Sequence, residues 1–157
     1  MVEKEFKVSY REYSCMDELE ERDRELVENA VSAMNNAYAP YSHFHVGAAV
    51  RLSNGDIVRG SNQENAAFPS GLCAERTALF AAGSSYPDKD IVSIAIAGGI
   101  YGKLAPHPAT PCGACRQVMA QYQTRSGKNM SVIMVGDGKI WKFDRVDDIL
   151  PFIFDSI

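Results

Sequence analysis

Ile91-Val92-Ser93-Ile94-Ala95-Ile96-Ala97 decides the fold. The run is almost wholly apolar, the pattern of a central strand buried on both faces. Its neighbours on either side are helical. Residues 73–82 (Cys-Ala-Glu-Arg-Thr-Ala-Leu-Phe-Ala-Ala) are helix formers halted near Gly83, and a second short helix runs from Cys112 to about Tyr122 after a Gly/Pro-rich loop, 98–111. Farther out, Val46, Ala48, Val50 and Leu52 alternate with Gly47, Ala49 and Arg51 at strand period, and Asn54-Gly55 turns the chain back through Ile57-Val58. Ser131–Val135 and Ile140–Phe143 flank Gly136-Asp137-Gly138 as a second hairpin, and Val146–Leu150 suits a last helical turn. Upstream, apolar residues recur at helical spacing from Asp17 to Ala39, with Asp17 as candidate N-cap and Pro40 as the stop. Residues 5–14 alternate loosely, placing Phe6, Val8 and Tyr10 on one side of an edge strand or an ordered arm. The order α-β-β-α-β-α-β-β predicts an α/β fold, a mixed β-sheet sandwiched by helices.

The chain of 157 residues is expected to form a single domain, 1–157, with 1–15 as an N-terminal extension or arm. Its net charge of −4 gives no electrostatic reason for a nucleic-acid partner. The acidic excess lies mostly in residues 1–28 and reads as a solvated helix face. No apolar run approaches the ~20 residues of a membrane span, and the first residues lack a signal-peptide core. A cytoplasmic protein without a membrane partner is expected. In a reducing compartment a Cys-x-x-Cys with a distant third Cys is better read as a metal site than as disulfides.

Three of the four cysteines carry the chemistry. Cys73-Ala74-Glu75 is followed by Pro111-Cys112-Gly113-Ala114-Cys115, and both groups open a predicted helix. A helix N-terminus lowers thiol pKa values and favours the thiolates that zinc requires. Three thiolates leave the fourth tetrahedral position open, as in catalytic zinc sites. Glu75 lies close enough to move protons on a metal-bound water without ligating the metal. Three thiolates on Zn²⁺ leave a net charge near −1, which Arg76 and Arg116 are placed to offset through hydrogen bonds to sulfur. Cys15 falls outside the pattern and is expected to be a small, partly buried side chain; the alternative is a closed four-thiolate site that recruits it. His43, His45 and His107 show no metal-ligand spacing and read as surface or turn residues.

With these residues in view, the chain resembles the cytidine deaminase family, specifically its small homotetrameric type, from about Asn29 onward. A ligand-x-Glu and a later Pro-Cys-x-x-Cys is the layout of zinc deaminases, with a cysteine-only ligand set as an allowed variant. Four motifs carry the likeness in order: Ala39-Pro40-Tyr41-Ser42-His43-Phe44 with Val46-Gly47-Ala48; Asn62-Gln63-Glu64-Asn65-Ala66; Cys73-Ala74-Glu75-Arg76-Thr77-Ala78; and Pro111-Cys112-Gly113-Ala114-Cys115-Arg116-Gln117.

The resemblance implies hydrolytic deamination of cytidine and 2′-deoxycytidine in pyrimidine salvage, with Glu75 as the acid/base and zinc on Cys73, Cys112 and Cys115. It implies that Asn62 and Glu64 hydrogen-bond the ribose 3′-hydroxyl, that Phe44 walls the sugar and base pocket, and that the Ala74 N–H meets the pyrimidine O2. Leu150-Pro151-Phe152-Ile153-Phe154 resembles the segment in which an aromatic completes a neighbouring subunit's pocket, with Phe154 in register and Phe152 as alternative. Ile149, Leu150, Phe152, Ile153, Phe154 and Ile157 also crowd apolar side chains into the chain end, the composition of an interface. The chain departs from the family in Phe68, where many relatives carry Tyr, in a longer 98–110 loop and in the N-terminal extension. Rival readings are a same-fold deaminase of a modified nucleoside or nucleoside antibiotic, a polynucleotide deaminase, and a non-catalytic zinc-stabilised interaction module.

Overall fold

In a computed structural model, which describes residues 1–155, the sheet has the strand order β1-β6-β5-β4-β2-β3. The strands are β1 (Arg11–Tyr13), β2 (Phe44–Leu52), β3 (Ile57–Ser61), β4 (Ile91–Ile100), β5 (Ser131–Gly136) and β6 (Lys139–Phe143). The helices are α1 (Glu21–Ala33), α2 (Ala74–Ser85) and α3 (Gly113–Ser126). All adjacent strand pairs are antiparallel except β4–β5, which is parallel. A parallel pair needs a long crossover, and residues 101–112 with α3 provide it.

Side-chain alternation along the central strands sorts the core into two layers. Ala48, Val50, Ile94, Ile96, Val132 and Met134 face α2 and α3, meeting Ala78, Leu79, Met119 and Ala120. Ala49, Ala95, Ala97, Ile133 and Val135 face α1, meeting Leu26, Val27 and Ala30. Leu26 and Leu79 are fully buried, and each such side chain contributes about 1.5–3 kcal/mol through burial. The mixed sheet with helices on both faces is the arrangement expected from the sequence.

Several boundaries differ, each for a tertiary reason. Asp17 lies in a short 3₁₀ turn, Met16–Glu18, and does not cap α1; Leu19 is extended and buried, so the helix starts only at Glu21. α1 ends at Ala33 and continues as a 3₁₀ turn, Met34–Asn36, instead of reaching Ala39. Tyr38 is drawn into a bridge with Gln63, its N–H donating to the Asn62 carbonyl at 2.9 Å. Gly83 does not stop α2, which runs on to Ser85; a Cβ there would lie 2.2 Å from the Tyr122 hydroxyl of α3. β4 extends through Ile100, beyond the expected end at Ala97, because β2 begins at Phe44 and pairs with it. Of the N-terminal arm only Arg11–Tyr13 is a strand; Tyr10 stacks on Phe143, with ring centroids 5.2 Å apart.

At the chain end Ile149 is buried and Leu150 and Ile153 pack on this chain's own core, whereas Phe152 and Phe154 are 90% and 67% exposed. Ile157 lies outside the described residues.

Candidate metal centre and active site

Topology brings the two cysteine groups together. α2 leads back into β4, so its N-terminus lies at the strand's C-terminal end, and the crossover out of β4 starts α3 at that same end. Gly60 on β3 lets α2 settle against the sheet: a Cβ there would lie 2.4 Å from the Ala78 nitrogen and 2.6 Å from the Ala74 carbonyl oxygen. Cys73 caps α2, Cys112 caps α3, and Cys115 sits in the first turn of α3, fully buried.

The three sulfurs lie within 4.8 Å of one another, the Cys73–Cys112 pair at 3.9 Å and the Cys112–Cys115 pair at 3.5 Å. A tetrahedral zinc ion with ~2.3 Å bonds to sulfur spaces its ligands about 3.8 Å apart. The donor set fits the ion in chemistry as well as spacing. The Cys73 thiol is pushed down to about 5, first by the neighbouring Cys115 thiol and then, against its own burial, by Arg76. Cys115 is pushed up by that same contact with Cys73 and by burial. Sulfurs this close resist ionising together, and a dication among them would allow all three to do so. Cys15 is exposed and takes no part in the cluster, contrary to the expectation of partial burial.

The two arginines separate. Arg76 Nη2 donates to the Cys73 sulfur at 3.4 Å. Arg116 instead donates to the Pro111 carbonyl at 2.9 Å and the Ile149 carbonyl at 3.1 Å, so it ties the C-terminal segment to α3 and does not reach a sulfur.

Glu75, in the first turn of α2, is only 5% exposed. Burial, the largest effect, raises its carboxyl above the ordinary carboxylate range, the direction that suits a group accepting and returning a proton. A cavity of about 400 Å³ opens on it, lined by Phe44, Val46, Asn62, Cys73, Ala74, Glu75, Ile96, Cys112 and the segment His107–Thr110. Ala74 is the first residue of its helix, where backbone N–H groups have no intrahelical partner. A second cavity of about 530 Å³ adjoins through Asn62 and Cys73 and is lined also by Tyr41, Ser42, Glu64, Phe68 and Arg76.

Asn62 bridges the start of β2: the Val46 N–H donates to its Oδ1 at 2.8 Å, and its Nδ2 donates to the Phe44 carbonyl at 2.9 Å. Glu64 accepts from the Tyr41 N–H at 2.9 Å, the Ser42 N–H at 3.3 Å and the Ser42 hydroxyl. Chiefly through that hydroxyl, its carboxyl is held below the ordinary range. Phe68 is 74% exposed and meets Tyr41 edge-on. Phe154 lines neither of these two cavities; Gln117 holds its backbone, Nε2 donating to the carbonyl at 2.6 Å.

Two contributors escape a reading of the sequence. His107, expected at the surface, is exposed yet forms part of the wall over Glu75. Ser42 holds Glu64 across 22 positions of chain, and its place in Tyr41-Ser42-His43-Phe44 was the only signal.

A three-thiolate cluster at two helix N-termini, with a buried carboxylate on the floor of the adjoining cavity, defines a zinc-binding hydrolase class. Comparison with known proteins narrows it. Residues 20–129 match the model of the cytidine and deoxycytidylate deaminase zinc-binding region. The cytidine deaminase of Halalkalibacterium halodurans is 47% identical over 96 residues, covering 61% of this chain and 68% of that one. The cytidine deaminase of Sporosarcina psychrophila is 41% identical over 97 residues, covering 62% and 67%. The crystal structure of cytidine deaminase from Burkholderia pseudomallei superposes with a TM-score of 0.72 at 37% identity, covering 83% of this chain and 97% of that one. The chain belongs to the cytidine and deoxycytidylate deaminase family.

Proposed function

We infer that this protein is a zinc-dependent hydrolytic deaminase of cytidine and 2′-deoxycytidine, releasing ammonia and leaving uridine or 2′-deoxyuridine. The observation that carries this reading is the buried Glu75 carboxylate, two residues beyond a thiolate ligand and on the floor of a cavity large enough for a pyrimidine.

Cys73, Cys112 and Cys115 hold the ion. When bound, Zn²⁺ supplies a water whose pKa is lowered toward neutrality. Glu75 takes one proton from the attacking water at a carboxylate oxygen and passes it to N3 as the C4–O bond forms, then takes the second from the C4 hydroxyl and passes it to the amine as the C4–N bond breaks. Proton transfer by a positioned group of this kind contributes roughly 10²–10⁴ in rate. The Ala74 N–H holds the pyrimidine O2, Phe44 walls the base, and Asn62 and Glu64 hold the ribose 3′-hydroxyl. Arg76 offsets the thiolate charge. That Glu64 is already fixed by three donors supports its role, since a preset carboxylate recognises a hydroxyl without reordering.

The chain acts as one domain, in the cytoplasm, in the salvage of pyrimidine nucleosides. It works as a homotetramer in which Phe154 of one subunit completes the pocket of a neighbour. The exposure of the Phe154 ring, with its backbone held by Gln117, supports this arrangement. No helix among the described residues is long and apolar enough to cross a membrane.

Incubating the zinc-loaded protein with cytidine, 2′-deoxycytidine, cytosine and CMP, and following the ultraviolet change on deamination, tests the reading. Turnover of the two nucleosides is expected. Turnover of none of the four would refute it.

A further inference from the structure

The segment from Ile100 to Thr110 breaks a local rule. Lys103 N–H donates to the Ile100 carbonyl at 3.1 Å, closing a turn whose central residues, Tyr101 and Gly102, both have positive φ, 52° and 75°. Such a turn favours Asn, Asp or Gly at its first central position. A bulky residue with positive φ is a true outlier. Opposite it, at the start of β2, His43 is the second positive-φ non-glycine residue among the described residues, at 57°. The two rings stack with centroids 5.4 Å apart and an interplanar angle of 25°, and the Tyr101 N–H donates to the His43 carbonyl at 3.2 Å. Strained backbone on both sides of one contact, beside a site, is where a local sacrifice serves function.

Both partners lead into the pocket. His43 follows Ser42, which holds Glu64, and precedes Phe44, whose N–H donates to the Ser42 hydroxyl oxygen at 3.0 Å. From Tyr101 the chain runs as a strap to Cys112. It crosses the sheet so closely that a Cβ on Gly99 would lie 1.6 Å from the Lys103 carbonyl oxygen. The Ala105 N–H donates to Gly98 at 2.9 Å and the Ala109 N–H to Val135 at 3.2 Å. The strap's far half, His107–Thr110, is the wall over Glu75. Phe44 lines both that cavity and a hollow of about 430 Å³ under the strap's near half.

We propose that the His43–Tyr101 stack is a positioning clamp: it fixes the strap and Phe44 relative to Glu64, and so sets the width of the base pocket. The clamp acts on substrate binding and leaves the proton chemistry to Glu75. This rests on the deaminase reading above.

Tyr101→Asn separates the clamp from the turn, because Asn tolerates left-handed backbone and removes the ring, whereas Tyr101→Phe keeps the ring. With zinc content matched, Tyr101→Asn is expected to raise KM for cytidine about threefold to tenfold with kcat within about twofold. Tyr101→Phe should match wild type. Hydrogen exchange at the Ala105 and Ala109 amides should speed up in Tyr101→Asn, with the β4–β5 ladder unchanged. That measurement needs no turnover, so an inactive wild type would refute the deaminase reading while exchange still judged the clamp. An unchanged KM in an active enzyme, or unchanged exchange at both amides, would overturn the proposal.

Discussion

Arg76 Nη2 donates a hydrogen bond to the sulfur of Cys73 at 3.4 Å, from one turn farther along the same helix. A three-thiolate site would carry net negative charge once zinc is bound, and this guanidinium is placed to offset it. Replacing a group that hydrogen-bonds a metal ligand typically costs 10–100-fold in metal affinity or activity. Arg76→Ala is therefore expected to lose zinc to a competing chelator about tenfold faster than wild type. Arg116→Ala, which removes bonds to two carbonyls and none to sulfur, should leave that rate unchanged.

Glu64 yields a prediction with a definite sign. Its carboxyl is depressed, chiefly by the Ser42 hydroxyl. Binding that depends on the carboxylate is therefore full above the ordinary glutamate value of ~4.3 and falls only as pH drops through the lower folded value. Ser42→Ala removes the main cause, so the Glu64 carboxyl, followed by NMR, should titrate at higher pH than in wild type, with kcat/KM for cytidine near neutrality largely kept. A site built around a hydroxyl also rejects analogues that lack it, so 3′-deoxycytidine and free cytosine should be poor substrates. Equal kcat/KM for cytosine and cytidine would exclude the sugar-binding role.

Gly60 links packing to the metal. A Cβ at this position meets α2 backbone atoms at 2.4 and 2.6 Å, and backbone cannot turn aside as a flexible side chain can. Gly60→Ala should cost about 1–3 kcal/mol, the usual range for overpacking, measured by chemical denaturation. It should also weaken zinc binding, because Cys73 rides on the helix that must shift.

The chain end separates assembly from metal binding. Replacing Phe152 and Phe154 together by Ala removes the two exposed rings while keeping Ile149, Leu150 and Ile153, which pack on this chain's own core. Light scattering should show a smaller particle, and KM for cytidine should rise with zinc retained. A fully active monomeric wild type would defeat the proposed assembly.

What the sequence made legible follows physical range. The double-sided alternation of Ile94, Ala95, Ile96 and Ala97 encodes both core layers locally, and two cysteine groups at helix starts encode the metal centre. Both survive translation into structure because each depends on residues close in the chain plus one packing event. Features set by distant partners were not legible. Asp17 is a sound cap by type, yet burial of Leu19 in the core ends its chance. Arg116 stands beside a ligand cysteine, yet the Ile149 carbonyl, 33 positions away, claims it. His107 shows no motif at all and reaches the cavity wall because the strap lies against Gly136, where a Cβ would be 2.7 Å from the His107 carbonyl carbon.

The most direct measurement is made on Glu75→Gln. The substitution keeps size and hydrogen-bonding reach but cannot accept and return a proton. One zinc per chain should remain, cobalt substitution should still report three sulfur ligands, and calorimetry should still detect cytidine binding, while kcat falls by about 10²–10⁴. Turnover within about tenfold of wild type, with zinc and binding intact, would contradict the assignment of Glu75 as the group that moves the protons.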